Sequence, residues 1–342
     1  MCIKKVTTKD IAIAAGVSQS TVSFVLNDKK IMSISQATRD RVLKTADLLG
    51  YIRKNAAALQ TRQLIVGLMI PTLSNLYYPF LTQNVQMYAR SKGITIIIMN
   101  TMRDTDYERF LVHYLDRFPI DGILCAFTPQ SALPAKVPIV IVSEKQGNIP
   151  IDTVSLNSLA AGRMMAEHIT SLGHTRIAYI SGPLTHITLA RKNRLDGILS
   201  HLTHVRLEKY LTTLIDEHEV EELDAAYEYT VGRRMTEEIL SRKIDISAII
   251  AVNDMTAAGV MSVLNDYKIK IPQQIAVCGF DNLLISQILQ PQLTTMDQLA
   301  FHGCKLGLDI LLDKISKKPS QNPPIRVEYE PQLIVRGSTQ PV

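Results

Sequence analysis

At 342 residues, 46% of them apolar and 20% charged, the chain has room for a small domain plus a two-lobed one, and its composition excludes extended disorder. Its net charge of +5 hides an asymmetry: residues 1–62 carry 11 Lys/Arg against 4 Asp, while the remainder carries 26 basic and 28 acidic residues. MCIKKVTTKD lacks an apolar leader and no run of about 18 apolar residues occurs, so a soluble, cytoplasmic chain with no membrane contact is expected. Cys2, Cys125, Cys278 and Cys304 form no CxxC pair and read as reduced thiols. A basic head suggests a polyanionic partner, because Lys and Arg displace counterions from phosphates, although basic surfaces also serve solubility.

In chain order, Thr7-Thr8-Lys9-Asp10 fits a capping box. Ile11, Ala12 and Ala15 then form an apolar helical face that stops at Gly16. Ser18 can cap a second helix, Gln19 to about Leu26, whose Val22, Val25 and Leu26 face inward. A third helix starts at Ser35, carries Val42, Ala46 and Leu49 inward, and ends at Gly50. Helix, tight turn, helix and supporting helix is the layout of a helix-turn-helix. Gln19, Ser20, Ser23 and Phe24 share one outward stripe suited to base edges, and Thr7, Ser18, Thr21 and Asn27 suit phosphate oxygens. A small helical docking module with a solvated polar face is the alternative.

From residue 64, apolar runs alternate with amphipathic stretches. Strands are predicted at Leu64–Ile70, Ile94–Met99, Gly122–Ala126, Ile139–Val142, Arg176–Ser181, Ala248–Val252 and Ile275–Gly279. Helices are predicted at Tyr107–Phe118, Leu159–Leu172 and Ala257–Tyr267. The pattern implies an α/β body of two parallel-sheet lobes, with ligands bound outside the carboxyl ends of the strands. GxGxxG after the first strand, GxxxxGK[ST], GxSxG and HExxH are all missing, so binding is expected rather than catalysis, with no metal and no cofactor. The acidic stretch Asp216–Asp224 reads as a solvated helix face, and Gly182-Pro183 as a plain turn or a binding loop.

The segments VTTKDIAIAAGVSQSTVSFVLND and ISQATRDRVLKTADLLGY resemble the DNA-binding head of the lactose/galactose repressor family. That resemblance places Gln19, Ser20 and Phe24 at base-reading positions. Phe24 stands where the family usually has Arg; it can touch a thymine methyl but cannot donate to guanine, and tucking into the head's core is its other reading. The family's hinge helix wedges a Leu into the minor groove. Here Leu59, in YIRKNAAALQTRQ, is the candidate, in a hinge about two residues shorter than usual.

The body resembles the same family, and through it the periplasmic sugar-binding proteins, at VGLMIPTLSN, DGILCAF, SLNSLAAGRMMAEHITSLGHTRIAYISGP, RLDG, AVNDMTAAGVM, IPQQIAVCGFDN, PQLTTMDQ and LIVRGST. It implies an effector cleft that uses Asn75, Asn157, Arg194, Asn253 and Asp281, with Tyr78 or Phe80 as an aromatic wall. Singly, an Asn or Asp after a strand is more often a turn cap. The implied protein is a homodimeric, double-stranded-operator-binding regulator of the repressor class, controlled by a small molecule such as a sugar. The expected divisions are a head at 1–52, a hinge at 53–63 and a body at 64–342. Within the body the first lobe spans about 64–160 plus 292–321, and the second about 161–291 plus 322–340.

Overall fold

The computed structural model describes residues 6–26, 34–49, 63–115, 118–130, 137–143, 150–184, 189–217, 226–317 and 323–342. The chain divides into two compact units, Met1–Gln63 and Leu64–Val342.

The first unit carries α1 (Thr8–Ala15), α2 (Gln19–Leu26) and α3 (Gln36–Leu48). The capping box forms: the Thr7 backbone N–H donates to Asp10 Oδ2 at 2.8 Å, and Thr7 Oγ1 accepts from the Asp10 N–H. Gly16 ends α1 at φ 64°, a left-handed conformation that costs glycine little. Ser18 Oγ accepts from the Thr21 N–H at 3.1 Å, and Ser35 Oγ accepts from the Thr38 N–H at 3.3 Å, so both serines cap their helices. Ile11, Ala12, Ala15, Val22, Val25, Leu26, Val42 and Ala46 close a small core.

In the second unit the elements are β1 (Ile65–Ile70), α4 (Tyr77–Ser91), β2 (Thr95–Asn100), α5 (Thr105–Leu115), β3 (Gly122–Cys125), β4 (Ile139–Val142) and β5 (Asp152–Leu156). They continue with α6 (Ser158–Ser171), β6 (Ile177–Ser181), α7 (Leu189–His204), β7 (Leu211–Ile215), α8 (Tyr227–Ser241), β8 (Ala248–Ala251), α9 (Asp254–Asp266) and β9 (Ala276–Phe280). Last come α10 (Leu284–Ile288), β10 (Thr294–Asp297), α11 (Ala300–Ser316), β11 (Arg326–Tyr329) and β12 (Gln332–Ile334). Two six-stranded sheets form, ordered β11-β5-β4-β3-β1-β2 and β12-β10-β9-β8-β6-β7. All their pairings are parallel except β10 with β12. The central strands β8 and β9 are apolar and wholly buried, as strands covered on both faces must be. Sequence order reverses beside β1 in one sheet and beside β6 in the other, and each reversal opens a crevice at the strands' carboxyl ends.

Two expectations need correction. The lobe boundaries near the carboxyl end shift: Thr294–Asp297 pairs with β9 in the second sheet, and Arg326–Tyr329 pairs with β5 in the first. The chain therefore crosses between lobes on either side of α11 and β11, later than the pattern suggested. Asp216, read as part of a solvated helix face, instead follows β7 and is buried. There it accepts from Arg234 and, at 3.4 Å, from the Tyr227 hydroxyl. Residues 218–224 of that stretch lie outside the described residues. No helix among the described residues is long and apolar enough to cross a membrane.

Candidate functional site

The carboxyl ends of the two sheets line a partly open cavity of ≈ 130 Å³. The first lobe lines it with Asn75, Tyr77, Tyr78 and Arg103, and with Phe127 and Ser143 from the loops after β3 and β4. From the second lobe come Arg191 and Arg194 on α7, Glu228 in the first turn of α8, Asn253 ahead of α9, and Asp281 after β9. Gln298 and Tyr329 approach from the segments that cross between lobes. The first lobe thus contributes most of the rings and the second most of the charges.

Each side chain is held by something local. Asn75 Oδ1 accepts from the Tyr77 N–H at 2.8 Å, which turns its amide nitrogen toward Glu228 Oε1, 2.6 Å away. Arg194 donates to the Val252 carbonyl at 2.6 Å and lies over the Phe280 ring, 4.7 Å from its centroid. Its Nε is buried with no hydrogen-bond partner, the kind of unspent donor that marks a ligand site. Asp281 sits at φ 115° and Asn282 at φ 51°, positive values that are costly outside glycine and cluster at functional turns. Asp254 secures that turn by accepting from the Leu283 N–H at 2.9 Å and the Thr295 hydroxyl at 2.6 Å.

Electrostatically the cleft is matched rather than empty of charge. Asp281 accepts from Gln298 and lies 3.9 Å from Arg194; Glu228 lies 3.6 Å from Arg191. Burial pushes the Asp281 carboxyl well above its ordinary range, with Arg194 opposing the shift and Asp254 and Glu228 adding to it. Burial likewise raises the Tyr77 hydroxyl. The Cys125, Cys278 and Cys304 thiols are also pushed up by burial, Cys304 to about 12, which makes them poor nucleophiles.

Of the residues expected here, the structure brings together Asn75, Tyr78, Arg194, Asn253 and Asp281. Phe80 is not among the lining. On α4 the stripe Leu81, Val85 and Ala89 packs inward, and Phe80, one residue before it, turns outward at 47% exposure. Nor does Asn157 line the cavity. It caps α6 by accepting from the Ala160 N–H at 2.9 Å and donates to Glu330, leaving Ser158 to face the cleft. Asn253 both lines the cavity and caps α9, through the Thr256 N–H at 2.8 Å. Tyr77, Arg103, Phe127, Arg191, Glu228, Gln298 and Tyr329 were not anticipated. Arg191 lies on the buried face of α7 with Arg194, and Glu228 on that of α8, positions that carry no motif of their own.

In the head, Ser18, Gln19, Ser20 and Ser23 are exposed along α2, and Thr21 and Phe24 are half-buried. Phe24 stands outside the head's core cluster. Gln19 Nε2 donates to Thr8 Oγ1 at 3.0 Å, which steadies the amide at the amino end of α2. The Thr7 hydroxyl is engaged by Asp10 at 2.6 Å. Asn27 and Leu59 lie outside the described residues.

Head and cleft together define a helix-turn-helix regulator with a two-lobed, ligand-sensing body. Residues 7–54 match the family described as "Bacterial regulatory proteins, lacI family", and residues 166–339 match the "Periplasmic binding protein-like domain". The chain is 30% identical over 341 residues to the ribose operon repressor of Escherichia coli (strain K12), spanning 97% of this chain and 99% of the relative. It is 29% identical over 350 residues, 99% of each chain, to the HTH-type transcriptional regulator DegA of Bacillus subtilis (strain 168). A transcriptional regulator from Silicibacter pomeroyi, described as a lacI-family protein, matches in structure with a TM-score of 0.75 and 25% identity over 97% of this chain and 99% of its own. The chain belongs to the lacI family of bacterial regulatory proteins: it is a DNA-binding transcription regulator and not an enzyme.

Proposed function

We propose that this regulator is a cytoplasmic homodimer that represses from double-stranded operator DNA. A small polyhydroxylated effector, a sugar or sugar derivative, controls it from the cleft between the lobes, and no further cofactor takes part. One observation carries the reading: the Arg194 and Asp281 side chains, both more than nine-tenths buried, converge with Asn253 at the strand ends opposite the rings of Tyr77, Tyr78 and Phe127. Paired hydrogen-bonding groups facing an aromatic wall suit a ring with a polar edge and an apolar face. The ribose operon repressor among the relatives points to the same ligand class. A ligand that prefers one lobe arrangement shifts the population, and the spacing of two recognition helices on successive DNA turns reports the shift. Gln19, Ser20, Ser23 and Phe24 read bases in this account, Thr7, Ser18, Thr21 and Asn27 contact the backbone, and Leu59 supplies the minor-groove wedge.

A thermal-shift screen of sugars, sugar phosphates and nucleobases tests this. Ligand at ~100 times its dissociation constant adds about 2.7 kcal/mol of stability. A hit that disappears in both Arg194→Ala and Asp281→Ala is expected. A hit that survives both substitutions, or a broad panel without a hit, would remove the cleft as the sensor.

A further inference from the structure

The structure assigns to Glu228 a role across the cleft: we propose that its hydrogen bond with Asn75 latches the two lobes together. The two residues are 153 positions apart, Asn75 in the loop after β1 of the first lobe and Glu228 in the first turn of α8 in the second. Neither partner of this 2.6 Å bond belongs to a segment that crosses between lobes. Two other bonds, Asn157 to Glu330 and Gln298 to Asp281, do involve those crossing segments, where the chain itself already ties the lobes. Both partners are oriented for the bond. Tyr77 fixes the Asn75 amide by donating to its oxygen, and Arg191, 3.6 Å from Glu228 Oε1, compensates the buried carboxylate. Glu228 is 8% exposed, so water competes little for the bond.

The consequence follows from size. A cavity of ≈ 130 Å³ is smaller than the ~300–1,000 Å³ of ordinary ligand sites, so a ligand of ordinary size fits only when the lobes part, and the latch opposes that parting. An entering group that breaks the latch must give Glu228 a donor and Asn75 an acceptor. One hydroxyl does both, whereas an ionised phosphate offers acceptors only and would face the Glu228 carboxylate. This consequence rests on the cleft being the effector site; the latch does not.

Amide hydrogen exchange on the full-length, ligand-free protein tests the latch without any ligand. Asn75→Ala should raise exchange in the opposite lobe, over residues 226–232 and 189–195. Glu228→Ala should raise it across the cleft, over residues 74–78. A charge-assisted bond of this kind corresponds to roughly tenfold or more in the opening equilibrium. Glu228→Gln, which keeps an acceptor oxygen for Asn75, should show a smaller rise. If Glu228→Ala does not fold, Asn75→Ala decides alone. Exchange that changes only within the substituted residue's own lobe would overturn the latch while leaving the effector reading to the ligand screen.

Discussion

The two lobes share one wiring, yet helix glycines in the first lobe, Gly303 and Gly307, face side chains, and helix glycines in the second face backbone. A Cβ added at Gly67 in β1 would meet the tip of Met99, 2.6 Å from its Cε. One added at Gly232 in α8 would run into the Thr256 carbonyl of α9, and one at Gly259 into the Tyr229 carbonyl of α8. Gly162 and Gly197 do the same for α6 and α7. The second lobe is therefore built on two helix pairs in backbone contact. Those helices carry Arg191, Arg194 and Glu228, and Asn253 opens α9, so the charged wall of the cleft stands on the more tightly fixed lobe. The first lobe presents its rings from loops and one helix end, with side-chain packing behind them.

This contrast predicts its own largest effect. Gly232→Ala should cost about 3 kcal/mol, because backbone cannot swing aside and α8 and α9 must separate. Gly67→Ala should cost under about 1 kcal/mol, since the tip of a methionine relocates readily. Urea melts of the two variants beside the parent protein measure the difference. Equal losses would mean that the helix pairs yield as easily as side chains and that the lobes do not differ in stiffness.

The carboxylates sharpen the contrast next. In the second lobe Asp254 is fully buried, and burial pushes its carboxyl up to about 7 against the hydrogen bonds from Thr295 and Leu283. Its unfolded value is about 3.9, so the folded state holds the proton more tightly. Its contribution to stability is then full below about pH 4 and is lost as pH rises through about 7. Melting temperature followed from pH 4 to pH 8 should show this falling component in the parent and not in Asp254→Asn. A parent whose difference from the variant stays constant over that range would show that Asp254 carries no such shift. Asp281 is raised for the same reason and by the neighbouring Asp254, so the two titrate together.

What could be read from the sequence divides along similar lines. Ile139–Val142 was found residue for residue, and β1, β8 and β9 to within a residue or two at each end, because strands covered on both faces are apolar throughout. The strands β5 (DTVSL), β7 (LTTLI), β10 (TTMD), β11 (RVEY) and β12 (QLI) went unread. They are short or polar, and their place in a sheet is decided by partners far along the chain. The cleft followed suit. Asn75, Arg194, Asn253 and Asp281 were legible by family position, whereas Asn157 shows that an Asn opening a helix has two uses that its local sequence cannot separate. Glu228, Arg191 and Gln298 carried no motif, since what makes them part of the site is the approach of the other lobe or of a crossing segment.

The smallest effect lies on the outer face of the first lobe, where the carboxylate logic reverses. Asp309 on α11 accepts from the Tyr88 hydroxyl at 2.6 Å and from Lys305 at 3.3 Å, with Lys92 3.6 Å away. Partial burial works to raise its carboxyl, but the bonds from Tyr88 and Lys305 and the field of both lysines outweigh it and hold the group below its ordinary value. A lowered folded value means that the contribution is present above the unfolded value of about 3.9 and is lost as pH falls through the folded one, opposite in sign to Asp254. The side chain is 34% exposed, so solvent and salt screen it, and Asp309→Asn should cost under about 1 kcal/mol, less still at high ionic strength. Melts of this variant at pH 7 in low and high salt measure it. A loss that salt leaves unchanged would place the bond from Tyr88, rather than the two lysines, as the source of the stability, and the reversal between the lobes would then be one of hydrogen bonding and not of charge.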